Sequence, residues 1–229
     1  MPRVRRMIPT DLAMHIMCRG NNKQVIFLEQ QDKQRYCSLL LKLKKENNID
    51  ILHYCLMNNH VHLIILLNAA TQLSRFMKQV NLSYFNYYNK RYGYTGHFWQ
   101  DRFKSSIIDT DAYLLQCGKY IELNPVRAKM VSLPGQYCFS SYAYYAYGAT
   151  DALVTPSPVY PDLSESEEER RMLYARFVVN LINKEILAKR CFIGSDIFVN
   201  KLQEFYSLKN EKRVRGRPKK TKNAKNAEK

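Results

Sequence analysis

Apolar and polar residues take turns along this chain in two periods. Met14 to Arg19 reads as a first strand, stopped by the turn cluster Gly20-Asn21-Asn22. From Asp32 to Asn47 the apolar positions Tyr36, Leu39, Leu40 and Leu43 fall at helical spacing, with Lys42, Lys44 and Lys45 elsewhere on the wheel. Ile49 to Met57 and His60 to Leu67 read as two strands joined by a short asparagine turn, most simply a hairpin. A long helix over Thr71 to Tyr92 carries Leu73, Phe76, Met77, Val80, Tyr84, Tyr87 and Tyr88 on one face, a stripe that suits a core or a surface for stacking bases. After the break at Gly93 to Gly96, Phe103 to Asp109 reads as a strand, and Asp109 or Thr110 caps a helix running to Asn124, which Pro125 ends. The order is therefore strand, helix, strand, strand, helix, strand, helix.

Beyond Ala128 the pattern loosens. Tyr137 to Tyr147 is rich in tyrosine and is expected to pack on the sheet. The prolines at 156, 158 and 161 mark residues 149–163 as a linker. Ser164 to Glu169 opens an acidic helix start that continues through Leu173, Phe177, Val178, Leu181 and Ile182, and Asp196 to Tyr206 adds a further short helical segment. The expected organisation is one domain over 1–148, a linker, a small helical appendage over 164–210, and a basic tail over 211–229.

Charge changes this picture most. The chain of 229 residues carries a formal charge of +16, which repels itself in a compact fold unless a polyanion is the usual partner, nucleic acid first and an anionic membrane surface second. No apolar run approaches the roughly 20 residues of a membrane span, and the arginines at 3, 5 and 6 are not followed by the apolar core of a signal peptide, so a cytosolic, nucleoid-associated location is expected. Six cysteines without a Cys-x-x-Cys pair indicate neither a zinc site nor a secreted disulfide framework.

Two constellations carry candidate chemistry. His60 and His62, two positions apart in a strand, project from one face roughly 6.6 Å apart, close enough to share a metal ion, although histidines on an apolar strand also occur as ordinary buried residues. Tyr120 and Asn124 lie at i and i+4 on one helix face, about 6 Å apart along the axis, where they can carry a nucleophile and a third ligand. Tyr113 shares the face of Tyr120, so spacing alone barely separates the two tyrosines.

The blocks Arg19-Gly20-Asn21, Asn59-His60-Val61-His62, Gly96 to Lys104 and Tyr120-Ile121-Glu122-Leu123-Asn124-Pro125-Val126-Arg127-Ala128 together resemble the single-tyrosine HUH nucleases, and within them the insertion-sequence-like transposases of the branch associated with repetitive extragenic palindromes. The resemblance spans about residues 1 to 147. Asn58 stands where most relatives have proline, a departure within the turn and not among the ligands. The resemblance implies an α+β fold, an antiparallel sheet with helices packed on one side in a palm-like layout, with which the element order agrees.

It further implies Tyr120 as the nucleophile, because Asn124 follows it at i+4 whereas Cys117 follows Tyr113, and His60, His62 and Asn124 as ligands of Mg²⁺ or Mn²⁺. Attack on a phosphodiester would leave a 5′-phosphotyrosine and a free 3′-OH on single-stranded DNA with hairpin or palindromic ends. Arg19 and Asn21 are expected to contact phosphate or a base edge, or else only to shape the turn; Arg102, Lys104, Arg127 and Lys129 are candidates for phosphate contacts, and Trp99 is a packing anchor or a stacking platform. In the tail, Arg215 and Arg217 of the AT-hook-like Arg215-Gly216-Arg217-Pro218-Lys219-Lys220 suit a narrow minor groove or plain phosphate attraction. Two other readings stay open, a non-catalytic DNA-binding regulator on the same fold and a metal-dependent phosphodiesterase that uses water; a monomer and a homodimer are both compatible with the sequence.

Overall fold

The computed structural model describes residues 12–67, 72–109 and 111–180, together with 192, 193, 195, 196 and 200. Its centre is a five-stranded sheet in the order β2-β3-β1-β4-β5, built from β1 (Ala13–Arg19), β2 (Ile49–Met57), β3 (His60–Leu67), β4 (Lys104–Ile108) and the two-residue β5 (Phe192–Ile193). The first four strands pair antiparallel, as expected, and β5 adds a parallel partner to β4. β2 and β3 form the anticipated hairpin about Asn58-Asn59, with a register shift between Ile51 and His53.

The alternation of each strand decides what covers it. Met14, Ile16 and Cys18 of β1 with Val61, Leu63 and Ile65 of β3 face α1 (Gln30–Glu46) and α2 (Gln72–Tyr92), which contribute Tyr36, Leu40, Phe76, Val80 and Tyr84 to one core. The tyrosine stripe of α2 is thus mainly core: Tyr84 and Tyr88 are buried, and Tyr87 donates to the buried Asp32 carboxylate at 2.9 Å. The opposite face presents Ala13, Leu52, Cys55, Ile64 and Ile108 to α3 (Asp111–Glu122), whose Leu114, Cys117 and Ile121 close a second core. The α+β class and the antiparallel sheet hold, whereas the helices, expected on one side, divide between both. The reason is legible in β3 itself, an almost unbroken apolar run of the kind that is buried on both faces.

Helix α3 lies close to the sheet through a glycine. A Cβ on Gly118 would stand 2.7 Å from Cε1 of the buried His53 ring on β2. Gly118→Ala is therefore expected to lower stability by about 1–3 kcal/mol through overpacking, read as a fall in the thermal midpoint; an unchanged midpoint would mean that the helix has room to move.

The helix ends at Glu122, two residues earlier than the spacing predicts, and the chain resumes as the short helix α4 (Asn124–Arg127). Pro125 has no N–H to give to the Ile121 carbonyl, and the Asn124 side chain donates to that oxygen instead, Nδ2 to O 3.2 Å. Residues 149–163, expected as a linker, pack on the outer strand: Leu153, Val154, Val159 and Tyr160 are buried, and Thr155 N donates to Ile51 O at 2.8 Å. The prolines that suggested a linker hold an extended chain, which covers the edge of β2. On either side of it in the chain, α5 (Tyr142–Tyr147) and α6 (Glu167–Val179) join the first core through Tyr145, Tyr174 and Val178. The helical pattern beyond residue 180, the segment 196–206 for the most part, the proposed cap Thr110 and the basic tail with Arg215 and Arg217 lie outside the described residues. Among the described residues no helix is long and apolar enough to cross a membrane.

Candidate active site

Three of the sequence blocks meet at one end of the sheet through backbone hydrogen bonds. Gly20 N donates to Asn59 O at 2.9 Å, Asn21 N to Phe98 O at 2.8 Å, and Gln100 N to Arg19 O at 2.9 Å. Gly20 is needed for this closure, since a Cβ there would stand 2.5 Å from the Gln24 carbonyl oxygen and 2.7 Å from Ile26 Cγ2. Trp99 is a packing anchor: its Nε1 donates to Asn81 O of α2 at 3.2 Å and its ring meets Phe98 at 4.9 Å.

Register then places the histidines. His60 lies opposite Arg19 and His62 opposite Met17 on the neighbouring strand, and the two rings share the face that α3 covers, their centroids 4.9 Å apart. His60 Nδ1 donates to the Asn59 side-chain oxygen at 2.5 Å, and His62 Nδ1 lies 2.8 Å from His15 Nε2. Each ring of the pair therefore uses its Nδ1 within the protein and leaves Nε2 for a ligand. His15 received no role from the sequence; strand alternation puts it on the face of Met17 and Arg19, but only the pairing of β1 with β3 brings it to His62.

Tyr120 projects from α3 toward this cluster, its ring centroid 6.1 Å from that of His62 and 6.5 Å from that of His15, both edge-on. Tyr113, its rival by spacing, and Tyr120 are both partly buried against the second core, so it is the ring contacts to His62 and His15 that set Tyr120 apart. Asn124 is half-buried one turn beyond Tyr120, and its Nδ2 donates to Ile121 O at 3.2 Å. Among the described residues no group of three or more His, Cys, Asp or Glu could hold a metal ion. A cation here would rely on two imidazoles and an amide oxygen, a weakly charged set that fits a loosely held Mg²⁺ or Mn²⁺.

Burial keeps the rings neutral, the form that ligates. Desolvation pushes His15 and His60 down to about 4, Arg19 adding to the effect at His60, and drives His62 well below the ordinary value, with His15, His60 and Arg19 contributing. In the unfolded chain the same rings titrate near 6.5, so as pH falls from there toward 4 the unfolded state takes up protons that the fold refuses. The contribution is fully present above 6.5 and lost on acidification, at up to about 1.4 kcal/mol per pH unit for each ring. The urea midpoint of the metal-free protein is expected to fall between pH 7 and pH 5, and less so in His15→Phe; a flat profile would show that the rings are hydrated.

Positive charge surrounds the cluster. Arg19 sits on the histidine face, and its buried Nε has no partner among the described residues. The Arg127 guanidinium lies 4.8 Å from the Tyr120 ring centroid and donates to Tyr120 O at 3.3 Å. Lys104 is exposed on β4 opposite Met17, which puts it on the same face. Asn21 is half-buried in the 3₁₀ turn Asn21–Lys23. Arg102 is exposed in the loop before β4.

A solved structure of a REP-associated tyrosine transposase bound to a REP hairpin aligns with a TM-score of 0.55 and 19% identity, over 69% of this chain and 93% of its own, and shares the fold. A Deinococcus radiodurans structure named as a transposase aligns over 53% of this chain and 96% of its own at 15% identity, with a TM-score of 0.38, a level that carries no argument about architecture. No curated protein matches the sequence. The sequence does match the family described as "Transposase IS200 like" over residues 9–124, a span that contains the Arg19 turn, both histidines, Tyr120 and Asn124. With half of its length inside that match, the chain belongs to the IS200-like transposase family.

Proposed function

We propose that this protein is a metal-dependent single-stranded DNA endonuclease and strand transferase that cuts beside hairpins through a 5′-phosphotyrosine on Tyr120. The observation that carries the reading is the placement of the Tyr120 ring against His62 with the Arg127 guanidinium over its face. A phenol titrates near 10 and is a poor nucleophile at neutral pH, so the site must neutralise and align the phosphate that it attacks. Arg127 and Arg19 supply fixed positive charge for the phosphate oxygens, and Lys104 and Arg102 extend it along the strand. His60 and His62 through Nε2 and Asn124 through Oδ1 would hold Mg²⁺ or Mn²⁺, which would supply Lewis-acid polarisation of the phosphate. The Tyr120 oxygen forms a bond to phosphorus, the bond to the 3′ oxygen breaks, and the proton lost by the phenol is balanced by the one gained by the 3′-OH. Because the phosphotyrosine conserves the bond energy, a 3′-OH can reverse the attack and rejoin strands without a nucleotide cofactor. The basic tail adds phosphate attraction, with Arg215 and Arg217 suited to a minor groove.

End-group analysis tests the reading. With a hairpin-bearing single strand and Mn²⁺, the upstream fragment should end in a 3′-OH that a polymerase extends, and the downstream fragment should travel with denatured protein. Two free fragments would favour water as the nucleophile; binding without any cut would favour a regulator.

The hydrogen bond between His62 Nδ1 and His15 Nε2 has its own consequence. His15→Phe is expected to weaken Mn²⁺ binding about 10- to 100-fold by calorimetry, since the partner that fixes the orientation of His62 is lost. Unchanged affinity would mean that strand packing alone orients the ring.

A further inference from the structure

Behind α3, side chains from three other parts of the chain converge on one carboxylate. Glu122 is fully buried; its Oε1 accepts from Ser141 Oγ at 2.6 Å and lies 3.0 Å from His53 Nδ1, and its Oε2 accepts from Tyr174 OH at 2.9 Å. His53 comes from β2, Ser141 precedes α5, and Tyr174 belongs to α6. The imidazole stacks on Tyr145 at 4.5 Å and occupies the space that Gly118 leaves open. Next to it the Lys119 ammonium lies 4.6 Å from the Phe177 ring centroid, a second tie between α3 and α6.

This is not a hydrolytic triad. Ser141 meets the carboxylate rather than the imidazole, and all three side chains are sealed from solvent. Nor does stability alone account for it, because a buried carboxylate is costly even when paired and His53 Nε2 remains buried without a partner among the described residues. What the network does is mechanical. Two residues separate Glu122 from Tyr120, about 200° around the helix, so Glu122 holds the back of α3 while the phenol faces the histidines. A reacting group misplaced by about 1 Å can lose about a hundredfold in rate.

We propose that Glu122 is the positioning residue for Tyr120, and that through Tyr174 it makes phosphotyrosine formation depend on α6. The inference rests on Tyr120 being the nucleophile. The test uses the full chain, a 3′-labelled hairpin-bearing single strand and Mn²⁺, and reads three quantities: the single-turnover rate of adduct formation, DNA affinity and the thermal midpoint. Tyr174→Phe and Glu122→Gln disturb the network, and Tyr145→Phe is the control, since Tyr145 packs on the same imidazole but its hydroxyl donates to Leu52 O rather than to the carboxylate.

With rates compared at a fixed interval below each midpoint, Tyr174→Phe is expected to slow adduct formation about tenfold or more, with DNA affinity within about twofold, whereas Tyr145→Phe stays within about twofold in both. A 3-fluorotyrosine at position 120 should shift its fluorine resonance in Tyr174→Phe and Glu122→Gln and not in Tyr145→Phe. Equal slowing in all three variants, or an unchanged rate in Tyr174→Phe, overturns the proposal; should Tyr174→Phe fail to fold, Glu122→Gln carries the same expectation. Adduct formation by Tyr120→Phe, or its absence in the unaltered protein, overturns the nucleophile reading itself and this inference with it.

Discussion

Tyr120→Phe is expected to lower DNA cleavage by at least about a thousandfold and to abolish the covalent protein–DNA adduct, with DNA affinity within about twofold of the unaltered protein. The substitution is narrow. Phenylalanine keeps the ring that meets His62 and His15 edge-on and the face over which the Arg127 guanidinium lies, so only the hydroxyl is lost. Affinity should survive because it draws on a formal charge of +16 spread along the chain, and counterion release does not need the phenol. Tyr113→Phe, seven residues earlier on the same helix, should leave cleavage within about twofold. Cleavage that persists in Tyr120→Phe would move the reading to water as the nucleophile.

The second large effect concerns the histidines. His60→Ala should reduce cleavage about a hundredfold or more at micromolar Mn²⁺, with partial recovery at millimolar metal, as expected when one of three ligands is removed and the others persist. His62→Ala should be more severe, because it also leaves the buried His15 ring without the nitrogen it meets at 2.8 Å. Metal affinity by calorimetry and cleavage across a metal titration check both. An active His60→Ala protein indifferent to chelator would contradict the ligand assignment.

Much of this was legible in the sequence, and the exceptions have physical causes. Period-two alternation in β1 and β3 and the Asn58-Asn59 turn fix the strands and the shared face of His60 and His62. The four blocks are far apart in sequence, yet three close on one another through the backbone of Gly20, Asn21 and Gln100. Register is what the pattern could not supply: His15 reads as an ordinary strand residue until β1 pairs with β3. The two-sided packing of the sheet is written in the almost unbroken apolar run of β3, which a one-sided layout would have interrupted with polar positions, whereas the one-sided layout came from the resemblance. Residues 149–163 misled in the opposite way, since proline marks a linker and an extended edge-covering segment alike. Glu122 looked like one more charged residue of a motif; its burial depends on Ser141 and Tyr174, 19 and 52 positions away.

The most direct test of the central claim is mass spectrometry of the protein–DNA adduct after nuclease and trypsin digestion. Cleavage after Lys119 and Arg127 releases Tyr120–Arg127 as its own peptide, whereas Tyr113 falls in the peptide that ends at Lys119. The account predicts a nucleotide mass on Tyr120–Arg127 that depends on Mn²⁺ and is lost in Tyr120→Phe. A nucleotide on the Tyr113 peptide, or cut DNA with no modified peptide at all, would contradict it.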